Sequence, residues 1–248
     1  TKTLTSQLAQ KGWYSTDPDA LNTELSSYFE SCQSQISHTI NTLILPHAGY
    51  QYSGQTAAEG LWHIRNQSFR RILMIGPSHH YELRNQASTP PIDGYETPLG
   101  HLPVDTTVVQ KLLQSPYINS NLDVHIPEHS IQIELPLLQH ANITGPIVPI
   151  IVGQLNTKTI TELAKTIKTH IDKDTLVIIS SDFTHYGKNF NYTPFTDDIE
   201  TQLTQLDMGA IQLILDQNTN QLQDYLVTKQ PTICGRYAIQ LLLEMMTS

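Results

Sequence analysis

Four short and almost continuously apolar runs, separated by amphipathic segments, constrain the fold of this chain more than any other feature. Two of them are Thr42–Leu45 and Ile72–Ile75, and the others lie in the segments GPIVPIIVG and DTLVIIS. Strands that are buried on both faces are continuously apolar, whereas half-exposed strands alternate. The segment TKTITELAKTIKTHI instead places Ile160, Leu163 and Ile167 on one helical face. The alternation predicts an α/β fold with a central, mostly parallel or mixed sheet and helices on both faces.

The length of the chain indicates its domain organisation. A chain of 248 residues can bury a substantial core, and α/β chains of this size commonly form one domain. We therefore predict a single domain over residues 1–248. Residues 85–103 are rich in Pro and Gly, and we interpret them as an excursion with an edge hairpin rather than as a second domain.

The charge balance and the apolar runs disfavour two classes of partner. The formal net charge of −9 opposes binding to a nucleic-acid backbone. The longest apolar runs are far shorter than a membrane span, so we expect no membrane association. The first residues, TKTLTSQLAQKGWY, contain no apolar signal region, and the two cysteines, Cys32 and Cys234, fit a chain with reduced thiols. We therefore expect a cytoplasmic protein.

Chemically versatile side chains follow three of the four apolar runs. His47 follows the first run in PHAGY, His79 and His80 follow the second in PSHH, and Asp182 and His185 follow the fourth in SDFTHYG. A lone histidine among the 11 in the chain is more often structural than functional. The carboxyl ends of strands in open α/β sheets, however, are where ligands and catalytic groups collect. The repeated placement predicts one site built from these loops, in which Asp182 orients His185.

Cys234 and Glu128 each allow a functional and a structural interpretation. In TICGRYAI, Thr232 as an N-cap would place the Cys234 thiol in the first turn of a helix, where the helix dipole favours thiolate. A thiolate is both a nucleophile and a soft metal ligand, whereas a cysteine beside Gly235 also suits a close helix contact. Glu128 either stabilises the start of a helix or belongs to the site.

Six motifs in order resemble the Memo family: PHAGYQYSG, GPSHH, ETPLG followed by PVD, EHSIQIELP, SSDFTHYG and TICGRYAI. The opening segment GWYSTDPDALNTEL is also similar, so the resemblance spans essentially the whole chain. It implies the fold of the extradiol ring-opening dioxygenases and a metal pocket at the same place. The matching motifs imply that His47, His79 and Cys234 are metal ligands and that His185 is an acid/base residue with Asp182 beside it.

The resemblance also implies a cofactor and partners. Iron(II) is the expected metal, with copper(I) or zinc as alternatives, because a sulfur ligand in place of a carboxylate makes the site softer. A redox role, a small-molecule or peptide ligand in the pocket, and a partner from a system that includes a radical-SAM enzyme are further expectations. The residues expected to line the pocket are Trp13, Tyr14, Tyr50, His80, Glu128 and His129.

Three further functions stay open at the level of sequence. The first is an extradiol-type dioxygenase or another metal-dependent oxidoreductase, although shared fold does not transfer activity. The second is a metal-free hydrolase with Cys234 as nucleophile, His185 or His79 as base and Asp182 as orienting group. The third is a non-catalytic module that binds a peptide or protein.

Overall fold

A computed structural model describes residues 2–248. The strands are β1 Thr3–Thr5, β2 Thr42–Leu45, β3 Arg71–Pro77, β4 Ala87–Thr89, β5 Gly94–Thr97, β6 Gly100–Pro103, β7 Ile118–Ser120, β8 Ile147–Val152 and β9 Thr175–Ser180. The helices are α1 Pro18–Phe29, α2 Tyr50–Trp62, α3 Thr106–Leu112, α4 Leu122–His125, α5 His129–Gln132, α6 Glu134–His140, α7 Thr157–Lys168, α8 Ile199–Leu215, α9 Thr219–Lys229 and α10 Arg236–Thr247. A short 3-10 helix spans Lys188–Phe190.

The main sheet has six strands in the order β2-β9-β3-β8-β4-β7. The four predicted apolar runs are the four neighbouring strands β2, β9, β3 and β8, and they pair in parallel. Strand β4 runs antiparallel to β8 and parallel to β7. The predicted mixed, mainly parallel sheet is therefore confirmed. The carboxyl ends of the four strands that were predicted from the apolar runs lie along the same edge of this sheet.

Both faces of the main sheet are covered, as the continuous apolar runs predict. Within β3, Ile72 and Met74 belong to a cluster that includes residues of α1, α2 and α6. The alternate residues Leu73 and Ile75 belong to a second cluster with residues of α7 and α10. Because successive side chains of a strand point to opposite faces, the two clusters are the two faces of the sheet.

Residues 85–103 form an excursion, as expected. Strand β4 joins the main sheet, while β5 and β6 form an antiparallel hairpin that pairs with β1 in a separate three-stranded sheet. Helix α2 begins at Tyr50, with Gly49 at its N-cap. Among the described residues, no helix combines the length and the apolar character that a membrane crossing requires.

Candidate metal centre

Three loops and the segment before α10 meet at the carboxyl edge of the main sheet. His47 follows β2, His79 follows β3, and Asp182 and His185 follow β9, which lies between those two strands. The candidate ligand atoms of His47, His79 and Cys234 all lie within 4.8 Å of one another. Strand order therefore places residues that are far apart in sequence around one centre.

His47 is held by the atom of its ring that faces away from this centre. Its Nδ1 lies 2.7 Å from Ser180 Oγ, and the Ser180 hydroxyl donates to the Ser130 carbonyl. Since that hydroxyl has a single proton, Ser180 Oγ accepts a hydrogen bond from His47 Nδ1. The other ring nitrogen, Nε2, lies 3.1 Å from Cys234 Sγ. His47 is buried, so this orientation is firmly packed.

Glu128 holds His79 in the corresponding way. One oxygen of its buried carboxylate lies 2.8 Å from His79 Nδ1, and the other accepts from the His79 backbone N–H. Glu128 also accepts from Ser130 N–H as the N-cap of α5. Burial opposes ionisation of Glu128, but its bonds with His79 and Ser130 outweigh burial and lower its pKa to about 2. Glu128 thus caps the start of α5 and also contacts the candidate ligand His79.

The neighbours of His79 also favour its charged form. Burial lowers the pKa of His79, but the hydrogen bonds with Cys234 and Glu128 outweigh burial and raise it to about 10. In the metal-free protein at neutral pH the ring is therefore an imidazolium between two anions. Binding of a metal at Nε2 must displace a proton from this ring.

Cys234 lies directly before the N-cap of α10 and contacts two histidines that favour its thiolate. Burial raises the pKa of the Cys234 thiol, but His47 and His79 outweigh it and lower the pKa to about 6. The prediction that Thr232 caps the helix is wrong, because α10 begins at Arg236 with Gly235 at its N-cap. Gly235 packs closely on β9, and its N–H donates to Ser181 Oγ at 2.9 Å. The two imidazoles therefore favour the thiolate.

His185 and Asp182 lie beside the three candidate ligands. His185 Nδ1 lies 2.8 Å from the Thr232 carbonyl, which can only accept, so Nδ1 carries the proton. Its backbone N–H donates to Thr232 Oγ1 at 2.7 Å. Asp182 accepts from the His47 backbone N–H at 2.8 Å, and its second oxygen lies 3.8 Å from Nε2 of both His47 and His185. Asp182 thus bridges a candidate ligand and the candidate acid/base residue.

Comparison with known proteins identifies the family. Residues 8–248 match the family model of Memo-like proteins. The chain belongs to the Memo family. A MEMO1 family protein of Schizosaccharomyces pombe is 32% identical over 94% of this chain and 84% of its own length. Protein MEMO1 of Homo sapiens is 30% identical over 95% and 82%, and the memo-1 homolog of Caenorhabditis elegans is 32% identical over 94% and 68%.

The remaining pocket candidates of this Memo family chain separate into two groups. The His129 ring stacks on His79 with centroids 4.5 Å apart and contacts Trp13 with centroids 4.8 Å apart. His80 and the ligand candidates His79 and Cys234 line a cavity of about 440 Å³ together with Tyr237 and Gln154. These residues surround the centre.

The two tyrosines among the candidates lie in the hydrophobic core. Tyr14 and Tyr50 are buried and stacked on each other, with centroids 5.4 Å apart. The Tyr50 hydroxyl donates to the Ile133 carbonyl, and the Tyr14 hydroxyl lies 3.3 Å from Ser6 Oγ. Their polar atoms are thus engaged within the protein, and their rings pack α2 against the amino-terminal segment.

Three residues outside the predicted site support the orientation of the histidines, two by direct contact and one through Ser180. Ser180 holds His47, Thr232 holds His185, and the fully buried Glu134 lies 3.3 Å from Ser180 Oγ. Burial raises the pKa of Glu134 well above its usual range and so favours the protonated form of this carboxyl. The motifs SSDFTHYG, TICGRYAI and EHSIQIELP contain these residues, but no spacing rule connects them, because their partners lie on other elements.

Proposed function

We propose that this Memo family chain binds one transition-metal ion through His47 Nε2, His79 Nε2 and Cys234 Sγ. The observation that carries the proposal is that one ligand atom from each of the three residues lies within 4.8 Å of the other two, while the Nδ1 atoms of both histidines are engaged by other residues. Metal-ligating histidines characteristically use their second ring nitrogen in this way, since the outer partner fixes both tautomer and ring orientation. The proposal therefore rests on the support around the ligands as well as on their proximity.

The donor set fits a transition metal of borderline or soft character. Two imidazoles and one thiolate give three ligands with a single negative charge, and the Cys234 pKa of about 6 supplies the thiolate at neutral pH. Iron(II) is the metal we propose, and copper(I) and zinc fit the same softer set. Three protein ligands leave room for a ligand from the adjoining cavity of about 440 Å³.

A bound metal of this kind would supply Lewis acidity and, for iron or copper, one-electron redox chemistry. The residues of the chain would position the ligand and handle protons beside it. Nε2 of His185 faces Asp182, while Nδ1–H donates to the Thr232 carbonyl, so Nε2 is the atom that would accept or return a proton. His80 and Tyr237 would contact a small-molecule or peptide ligand in the cavity.

One observation favours thiol chemistry as a second candidate. Cys234 Sγ lies 3.1 Å from His47 Nε2, which is the separation of a nucleophile and its base. In a metal-free hydrolase this pair would attack an acyl substrate, with His185 nearby. Dioxygenase activity and a partner from a system that includes a radical-SAM enzyme rest on the family resemblance alone. Both are hypotheses to be tested after metal binding has been measured.

Metal content measured by mass spectrometry tests the proposal. Protein purified without oxygen is loaded separately with iron(II), copper(I) or zinc, alongside the variants Cys234→Ala and His79→Ala. We expect about one metal per chain in the wild type and a loss in both variants. Cys32→Ala and His101→Ala serve as matched controls, because Cys32 is buried away from the centre and His101 pairs with Glu96 at the surface.

Two results would reject the metal site. Retention of metal in both ligand variants would show that it binds elsewhere. A wild type that takes up no metal under any loading, and whose Cys234 turns over acyl esters, would favour the thiol hydrolase. If metal binds, oxygen uptake with catechols then separates a dioxygenase from a metal-binding protein without that activity.

A further inference from the structure

A second surface of the molecule, along the edge strand β2 rather than at the candidate metal centre, has unused hydrogen-bonding and apolar groups. Strand β2 is the first strand in the order of the main sheet and pairs only with β9 among the described strands. A groove of about 430 Å³ runs beside it and is lined by Thr42, Leu43 and Ile44. Successive side chains of a strand point to opposite faces, so three successive residues line one groove only where the groove follows the strand edge.

The backbone of this edge presents free hydrogen-bonding groups. Val177 N–H donates to the Asn41 carbonyl, and Ser181 N–H donates to the Leu45 carbonyl. In a strand, alternate residues direct their N–H and C=O groups to the same side, so the odd-numbered residues face β9. Thr42 and Ile44 consequently direct theirs to the groove, as an exposed strand edge does.

The opposite wall of the groove is apolar and exposed. It is formed by the carboxyl-terminal parts of α8 and α10, where Leu215 is 68% and Met246 is 47% exposed. Helix α8 has 17 residues, of which only Ala210 is buried. Large apolar side chains that remain exposed beside an open strand edge are typical of a surface that a partner covers.

The charge around the groove selects the chemistry of that partner. Residues 189–228, which include α8, contain six Asp or Glu residues and no Lys or Arg. Gln217 lines both the groove and an adjoining polar cavity, whose walls include Asp216 and Glu244. A partner that enters the groove therefore meets carboxylates at its end, which favours Lys or Arg and disfavours an equally acidic second copy of this chain.

We infer that the β2 edge binds an extended basic peptide segment, which adds a strand to the main sheet, places apolar side chains against α8 and α10, and sets Lys or Arg beside Asp216 and Glu244. Main-chain hydrogen bonds supply much of the affinity in this mode of recognition, and alternate side chains supply specificity. The inference does not depend on the metal centre, because none of the proposed metal ligands lines the groove.

Binding of a designed peptide tests the inference on the full chain. The probe is a fluorescently labelled peptide of about ten residues, with alternating Val and Thr and lysines at both ends. We expect a dissociation constant on the order of 10 μM by fluorescence anisotropy, weakening with salt, and no binding of the same peptide with glutamates at its ends. Hydrogen exchange should slow at the amides of Thr42 and Ile44 when the peptide binds.

Matched variants distinguish binding in this groove from nonspecific binding of the peptide to other surfaces. Leu215→Asp should weaken binding at least about tenfold, whereas Val227→Asp, at a residue 64% exposed on α9 and outside the groove, should not. Asp216→Lys should weaken binding about fivefold, whereas Asp224→Lys on α9 should leave it unchanged. Peptides N-methylated on one strand edge should lose binding, and those methylated on the other edge should keep it.

Three results would overturn the inference. The first is no binding of the basic peptide at about 1 mM. The second is equal loss for Leu215→Asp and Val227→Asp, or equal binding of the two N-methylated peptides. The third is self-association in sedimentation experiments with slowed exchange at Thr42 and Ile44 in the absence of peptide, which would assign the edge to a second copy of the chain.

Discussion

Two buried glutamates near the candidate metal centre have pKa values shifted in opposite directions, and this difference predicts different effects of one substitution. Glu128 is an anion that accepts from His79 N–H, His79 Nδ1–H and Ser130 N–H through both oxygens. For Glu134, burial raises the pKa well above the usual range and favours the protonated form. Replacement by Gln keeps the shape of both side chains but exchanges one oxygen for an NH2 group.

The expected loss of stability in Glu128→Gln depends on how many hydrogen-bond acceptors Glu128 provides. In Glu128→Gln, either orientation of the amide turns an N–H donor toward a donor of His79 or Ser130, which leaves at least one buried N–H without an acceptor and removes the charge. An unsatisfied buried group costs about 1–3 kcal/mol, and hydrogen bonds to charged groups are stronger still. We expect Glu128→Gln to lower the free energy of unfolding by about 3 kcal/mol and Glu134→Gln by less than about 1 kcal/mol.

The assay is urea denaturation of the metal-free protein at two pH values. The Glu128 pKa is lowered to about 2 from its usual 4.5, so its contribution is complete above pH 4.5 and is lost as the pH falls toward 2. The His79 pKa is raised to about 10 from 6.5, so its contribution is complete below 6.5 and is lost as the pH rises toward 10. The deficit of Glu128→Gln should therefore be largest near pH 6 and smaller at pH 3. Equal stability of the two glutamine variants at pH 6 would show that the anionic hydrogen bonds of Glu128 do not stabilise the fold.

Two further predictions concern Cys234 and its neighbour. The pKa of Cys234 is lowered to about 6, whereas burial and Glu59 raise the pKa of Cys32 to about 11. In the metal-free protein at pH 7.5, iodoacetamide should therefore alkylate Cys234 at least about a hundred times faster than Cys32, as followed by mass spectrometry. Comparable rates for the two cysteines would contradict the assignment of a thiolate. Gly235→Ala should destabilise the fold by about 1–3 kcal/mol, because a Cβ at this position meets the Ser181 side chain and lies 3.0 Å from the Ser180 carbonyl. The matched control is Gly49→Ala, whose Cβ meets only Tyr52 at 3.6 Å. In the same denaturation assay, this control should lose clearly less stability.

Much of the architecture was accessible from the chain alone, because burial on both faces leaves a continuous apolar signature. Thr42–Leu45 was predicted with its observed bounds, and the run from Ile72 lies within β3. Parallel strands present their carboxyl ends at one edge, so the placement of His47, His79 and His185 after separate strands predicted convergence without knowledge of strand order. Local features were harder to predict, since the N-cap of α10 is Gly235 rather than the predicted Thr232.

Tertiary structure alone decided how the convergent side chains are held and charged. The sequence determined which residue types reach the carboxyl edge, because strand periodicity and loop position are local properties. The partners Ser180, Glu128 and Thr232 lie on other elements than the histidines they orient, and only packing brings those elements together. The low pKa of Cys234 likewise comes from two imidazoles on distant loops, because electrostatic interaction depends on separation in space and on burial rather than on separation along the chain.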